Sequence, residues 1–209
     1  MHTYNQTVLN ASYTMLAYPA FLAGYRTVNE AIADRLFTNY ISAFIDQDVA
    51  LSVASSPTTD SDNDSDRLLM LLSNPTVSES LTQLCCDGAS KLPAFVLPTL
   101  CRQLEKNGDV HRLAFLIAAY GHYLTVNKDD KRVDYNVEEP HLRPDDWTKI
   151  NHNDVVAFLS ISPLASARLH TYSHFVAMYK SYRAQIAQLG IIFLIRQMAY
   201  HRLAMRTSV

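Results

Sequence analysis

The sequence predicts a mainly α domain, and three observations carry that expectation. Apolar residues recur at spacings of three and four along most of the chain. No run between turn signals alternates with period two, so strands are not expected. No repeat of fixed period marks a solenoid. With 209 residues, 48% of them hydrophobic and 18% charged, the chain suits one globular domain with a sizeable core.

The elements follow in order. Leu9, Tyr13, Leu16 and Ala20 mark a first helix, with Met15, Tyr18 and Leu22 beside them. Pro19 is expected to kink or divide that helix, and Gly24 to end it. Residues 28–35 read as a short helix and residues 36–53 as a longer one built on Leu36, Tyr40 and Phe44. Residues 54–66, rich in Ser and Asp, lack bulky apolar side chains and are expected to form a mobile acidic surface loop. Its aspartates do not make a calcium loop. An EF-hand starting at Asp60 needs Gly and Glu where Ser65 and Leu71 stand, and one starting at Asp62 meets Arg67 and Ser73. Helical patterns resume at 67–72 and 77–86. Residues 87–90 read as a turn, and a helix follows that tolerates Pro93 in its first turn and breaks again at Pro98. Asp109 is placed to cap a helix running to about Leu124. Residues 125–143 are charged and loop-like, and Asp145 or Asp146 is expected to cap a helix at Trp147. Residues 166–189 read as one long helix closed by Gly190, and residues 191–206 as the last.

Composition excludes several functions. A formal net charge of −2 gives no basic excess for nucleic acid. Three cysteines, Cys85, Cys86 and Cys101, are too few for a disulfide framework and lack zinc spacing, which suits a reducing compartment and a cytoplasmic location. Residues 1–25 carry no Asp, Glu, Lys or Arg, but without a basic start, and with Pro19 interrupting the apolar part, they do not read as an export signal. Two glycosylation sequons, at Asn5 and Asn10, are then accidental. No membrane span is expected. The five glycines, Gly24, Gly88, Gly108, Gly121 and Gly190, never lie closer than 13 positions apart (108 to 121). A phosphate-cradling loop needs clustered glycines, so neither a P-loop nor a dinucleotide fingerprint is present. His170 and His174 stand at i and i+4, but no third ligand is identifiable and Thr171 occupies the place of a zincin glutamate, so no metal is expected. Ser160 and Ser162 have no glycine elbow.

Three stretches carry a family resemblance. The first runs from Val8-Leu9-Asn10-Ala11-Ser12-Tyr13 through Phe21-Leu22-Ala23-Gly24-Tyr25 to Val28-Asn29-Glu30-Ala31. The second is Asp87-Gly88-Ala89-Ser90-Lys91-Leu92-Pro93 with Leu97-Pro98-Thr99-Leu100. The third runs from His111-Arg112-Leu113-Ala114 to Tyr123-Leu124. In this order they resemble the C-terminal domain of the mannitol dehydrogenase family, the long-chain polyol and hexuronate dehydrogenases. The resemblance is firm over residues 8–124 and fainter through Leu142–Trp147 and Phe158-Leu159. It implies a multi-helical domain of the 6-phosphogluconate dehydrogenase-like type, without the Rossmann domain, and casts residues 1–209 as a helical substrate-binding unit. It also implies NAD or NADP as cofactor, not bound by this chain alone, a small polyol or keto-sugar of the mannitol–fructose or hexonate–hexuronate type as substrate, and a separate nucleotide-binding domain as partner.

The family's Lys-x-x-x-x-Asn-x-x-His pattern supplies a lysine base, an asparagine that donates to the developing alkoxide, and a histidine that orients the substrate. Here Asn10 matches the asparagine, Asn5 stands at the lysine position and cannot act as a base, and Tyr13 stands at the histidine position. Lys91 matches a lysine that contacts substrate hydroxyls or carboxylate, and Gln83 replaces an arginine eight residues earlier. The resemblance therefore implies an oxidoreductase substrate domain that is inactive alone, with a non-catalytic relic or interaction module as the alternative. Read without it, Asn10 serves as a helix cap, Lys91 as a solvated surface residue and Tyr13 as a rim residue of an amphipathic helix.

Overall fold

The computed structural model describes residues 2–49, 61–74 and 79–201, without the side chains of 2–5 and 61–65. Eleven α-helices appear among these residues: α1 (His2–Leu22), α2 (Val28–Ala33), α3 (Arg35–Ala43), α4 (Ser61–Leu72), α5 (Leu81–Cys85), α6 (Gly88–Phe95), α7 (Leu97–Glu105), α8 (His111–Thr125), α9 (Pro144–Ile150), α10 (Ser173–Leu189) and α11 (Ile191–Tyr200). A π-helical turn, Phe44–Val49, extends α3, and three 3₁₀ turns lie between α9 and α10. There is no strand among the described residues, only isolated bridges between Thr27 and Ser80 and between Lys128 and Asp134.

Helix α8 is the centre. Twelve of its 15 residues are buried, so it presents no polar face and must be surrounded. Helix α10 lies along it most extensively, and α1 packs on it from another side. Helix α1 in turn carries α5 and α6, while α11 packs on α3. The crossing of α8 and α10 is close because position 121 is glycine: a Cβ there would stand 2.4 Å from an Arg183 guanidinium nitrogen. Arg183 donates to the Tyr179 hydroxyl at 2.9 Å and to Thr125 Oγ1 at 3.2 Å, so the cation is used within the crossing.

Several helix starts are set by local side chains. Thr27 and Glu30 form a reciprocal capping box on α2, and the Asp34 carboxylate accepts from Leu36 N–H at the start of α3. Others are set from the loop between α8 and α9. The Asp130 carboxylate accepts from Ile191 N–H at 2.7 Å and so caps α11. The buried Asp129 carboxylate binds the Arg26 guanidinium and accepts from Val133 N–H at 2.9 Å, which folds the loop on itself.

The structure corrects five expectations. Helix α1 runs through Pro19 without division; Pro19 is in its last turn, the Ala23 N–H still reaches the Pro19 carbonyl at 3.0 Å, and Tyr18, Ala20, Phe21 and Leu22 are all buried. Residues 61–66 of the expected acidic loop belong to α4, consistent with the preference of carboxylates for a helix N-terminus, and Leu68 and Leu72 anchor the rest; residues 54–60 lie outside the described ones. The long helix expected from 166 starts only at Ser173, because Arg168 sits in the left-handed region at φ 49° and the segment before it winds as 3₁₀ turns. Helix α9 starts at Pro144, and Asp146 is not its cap residue but its third residue, reaching back to Arg143 N–H at 3.0 Å. Finally, Val110 holds the cap position of α8, with Asp109 Oδ1 accepting from His111 N–H at 2.9 Å.

The buried end of α8 is held by one ion pair. Arg112 is fully buried and binds the equally buried Asp48 of the π-helical turn. It also donates to Gln47 Oε1 at 2.7 Å and to the carbonyls of His201 at 2.7 Å and Met198 at 3.3 Å. One guanidinium thus joins α8, the π-helical turn and the end of α11. Burial pushes the Asp48 carboxyl up to about 6 despite the attraction of Arg112. Its folded value lies above the unfolded one, so its contribution to stability is fullest below the unfolded value and is lost as pH rises through about 6. We expect Arg112→Leu to cost about 3–5 kcal/mol in urea unfolding at neutral pH, because it strands a buried carboxylate. Adding Asp48→Asn should recover part of that loss, and Asp48→Asn alone should flatten the stability–pH slope relative to the parent at pH 4–6.

Candidate functional site

The pocket of interest forms where α1 faces α5 and α6. Asn10 and Tyr13 are three positions apart on α1 and so share a face, with Thr14 beside them. Leu84 comes from α5, and Lys91 and Phe95 from α6. Together these six residues line an open pocket of about 170 Å³. The structure thus brings Asn10, Tyr13 and Lys91 to one place although 81 positions separate Asn10 from Lys91 (91 minus 10).

Each polar group in the pocket has a defined state. Asn10 Oδ1 accepts from Gln6 Nε2 at 3.3 Å, and its amide N–H groups meet no acceptor among the described residues. Burial, and then the negative charge of Glu79, hold the Tyr13 phenol above its ordinary value near 10. Tyr13 is therefore a neutral hydrogen-bonding hydroxyl across the physiological range and no proton acceptor. Thr14 turns its hydroxyl back onto the Asn10 carbonyl at 2.9 Å, which leaves mainly its methyl for the pocket. The Lys91 ammonium donates to the carbonyls of Cys86 at 2.8 Å, Leu84 at 3.0 Å and Gln83 at 3.3 Å. These carbonyls stand at the end of α5, where Gln83 also accepts from Cys86 N–H at 3.2 Å, so Lys91 caps that helix with its charge at the negative end of the dipole.

Two other candidate residues fall differently. Gln83 is exposed on α5 and does not line the pocket; it reaches Lys91 only through its backbone carbonyl. Asn5 lies in the early turns of α1, and its side chain is outside the described residues.

Sequence reasoning missed the residues that hold the pocket together. Helix α6 begins at Gly88 with no side-chain cap from its own neighbour Asp87, which sits at φ 58°. Its cap comes instead from Glu139, whose carboxylate accepts from Gly88 N–H at 2.8 Å, Ala89 N–H at 3.1 Å and the Tyr120 hydroxyl at 3.0 Å. Burial pushes the Glu139 carboxyl above its ordinary range, opposed by the Ala89 and Gly88 N–H groups. A Cβ on Gly88 would stand 2.0 Å from the Tyr18 hydroxyl, 2.7 Å from the Tyr120 ring and 2.9 Å from Glu139 Oε1. The glycine of the Asp-Gly-x-Ser-Lys stretch is thus required by close approach. Leu84 and Phe95 supply apolar walls at helical spacing that sequence alone cannot tell from core.

A dinucleotide pyrophosphate needs a bare backbone cradle. No glycine among the described residues offers a bare backbone cradle. At all five glycines the place of a Cβ is within 2.7 Å of a side-chain atom, from Lys131, Tyr18, Gln103, Arg183 and Asp130 in turn.

This all-helical architecture carries a pocket walled by α1, α5 and α6. The family model for the mannitol dehydrogenase C-terminal domain matches residues 5–186, and the chain belongs to that family. Mannitol 2-dehydrogenase of Aspergillus fumigatus is 29% identical over 187 residues, which is 88% of this chain and 37% of that enzyme. That of Phaeosphaeria nodorum is 32% identical over 117 residues, 56% of this chain and 21% of the relative. Among solved structures, a ternary complex of Pseudomonas fluorescens mannitol 2-dehydrogenase with NAD and D-mannitol superposes with a TM-score of 0.83 at 26% identity, covering 93% of this chain and 40% of that one. A substrate-free D-sorbitol dehydrogenase gives 0.83 at 25% identity, over 95% and 40%. The chain therefore spans well under half the length of these relatives.

The close approach at Gly88 is testable. Gly88→Ala is expected to lower stability by about 1–3 kcal/mol, read as a shifted urea midpoint. In a Tyr18→Phe background the cost should shrink but persist, because the Tyr120 and Glu139 contacts remain.

Proposed function

We propose that this chain is the polyol-facing part of an NAD(P)-dependent oxidoreductase, holding a sugar alcohol or keto-sugar between α1 and α6. One observation carries the reading: Asn10, Tyr13 and Lys91, distant in sequence, line one pocket in a domain of the mannitol dehydrogenase fold. The free amide N–H groups of Asn10 suit a substrate oxygen, the Tyr13 hydroxyl suits a neighbouring hydroxyl, and Leu84 and Phe95 exclude water from one side. We assign the NAD(P) cofactor to a separate nucleotide-binding domain, a reading supported by the crowding of every glycine by a neighbouring side chain. We place the protein in the cytoplasm; its three cysteines are unpaired, and no helix among the described residues is long and apolar enough to cross a membrane.

The set of groups is nonetheless short of a proton acceptor. Asn5 has none to offer, Tyr13 stays protonated, and the Lys91 donors are taken up by α5 carbonyls. That observation favours the second reading, a polyol-binding module that keeps the cleft without the reaction.

A chimera joining this chain to the nucleotide-binding half of a mannitol dehydrogenase decides between them. Mannitol-dependent NADH formation is expected to be near background in the unmodified chimera. Asn5→Lys with Tyr13→His should raise it on the order of 10²- to 10⁴-fold, and Asn10→Ala should then lower it again. Parent-level activity without the substitutions would show that position 5 is not the base position. No gain with them would remove the polyol site.

A further inference from the structure

Away from the pocket, Asp109, His111 and His201 converge. Asp109 precedes α8, His111 is its first residue, and His201 follows α11 directly. One ligand atom from each lies within 4.8 Å of the others, and all three residues are half-buried. His201 Nε2 is 2.6 Å from Asp109 Oδ2. The His111 and His201 rings face the same space, with centroids 4.6 Å apart and planes inclined by 55°. We propose that these three residues bind one divalent first-row metal ion, zinc foremost, and that the ion ties the end of α11 to the start of α8.

The donor set and its surroundings both point that way. Two imidazoles and a carboxylate are ligands that zinc accepts, with water completing a tetrahedron. The second atoms of two of the ligands are already engaged in the manner that orients a metal site. Asp109 Oδ1 accepts from His111 N–H at 2.9 Å, which leaves Oδ2 toward the imidazoles. His111 Nδ1 is bound to the Tyr182 hydroxyl, which fixes that ring and leaves Nε2 free. On a tetrahedron with bonds of ~2.0–2.2 Å, ligand atoms stand roughly 3.3 Å apart. The His201–Asp109 contact must therefore open by under about 1 Å, and the other separations, all within 4.8 Å, must close by at most about 1.5 Å. His201, lying beyond the last helical turn, can make that adjustment by small torsions.

Two neighbouring charges bear on the ion. The positive end of the α8 dipole opposes it, and the Asp109 carboxylate offsets that field. Arg112 is adjacent, but its charge is matched by Asp48 and its donors turn toward Asp48, Gln47 and the Met198 and His201 carbonyls. The site shares no residue with the polyol pocket, so it stands independently of that reading. The sequence expectation of no metal weighed the acidic loop, the cysteines and His170 with His174; the two histidines are both exposed and have no third ligand near them among the described residues. Asp109-x-His111 with a partner 90 positions on forms no local motif (201 minus 111).

The test uses the 209-residue chain, stripped with a chelator and titrated with zinc chloride in a calorimeter. One equivalent is expected to bind with micromolar or tighter affinity, and zinc at about 100 times Kd should raise Tm by roughly 5–10 °C. His111→Ala and His201→Ala should each weaken binding more than ~100-fold, and Tyr182→Phe by about 10-fold. His201→Ala lies outside the helices and guards against a loss of fold mistaken for a loss of ligand; helicity by circular dichroism and metal-free Tm report on that directly. The pair His170→Ala and His174→Ala should leave binding unchanged. Absence of stoichiometric binding, binding that survives both His111→Ala and His201→Ala, or loss in the His170 and His174 variants would overturn the proposal.

Discussion

The pocket depends on one buried carboxylate. Helix α6 is only eight residues long, starts with a glycine, and has no cap from its own sequence. Left alone, its first N–H groups would be buried without acceptors, at a cost of about 1–3 kcal/mol each. Glu139 accepts from two of them and from Tyr120 of the central helix. Through that single group the start of α6, and with it Lys91 and Phe95, is fixed relative to α8. The same requirement explains why position 88 is glycine: the Tyr18 hydroxyl and the Glu139 carboxylate both occupy the space a Cβ would take.

The pattern repeats elsewhere. Asp130 caps α11 from 61 positions away, and Asp146 accepts from both the N–H and the hydroxyl of Ser162 at 2.6 Å, which locks α9 to the 3₁₀ segment. Asp48 meets Arg112 in the same fashion. The short helices of this domain cannot be held by propensity, since isolated helices under about a dozen residues are marginal in water. Apolar burial against α8 supplies the stability, and remote carboxylates fix where each helix begins.

That division explains what the sequence revealed. The spacing of Leu9, Tyr13 and Leu16 and the all-apolar run from Leu113 to Tyr120 are local facts, so α1 and α8 were legible. The joining of Asn10 to Lys91 was legible only through resemblance, because no local feature relates positions 81 apart. Remote caps left no signal at all: Glu139 sits in a charged stretch that reads as solvated loop. Pro19 misled because its cost falls on one hydrogen bond, and the burial of the residues around it outweighs that loss. Arg168 misled in the opposite sense, since nothing about an arginine announces a left-handed turn in an otherwise helical pattern.

The candidate site is best understood by asking what each residue does for the fold. Lys91 satisfies three carbonyls at the end of α5, and its stem walls the pocket. Replacing it would uncap that helix whatever chemistry the pocket performs, so its match to the family pattern says little about catalysis. Gln83 differs: it is exposed on α5, and no helix end or core contact among those described rests on its side chain. Tyr13 is intermediate, packed against the core yet at the pocket's edge. At Lys91 the architecture makes a demand of its own, while at Gln83 it makes none among the described residues.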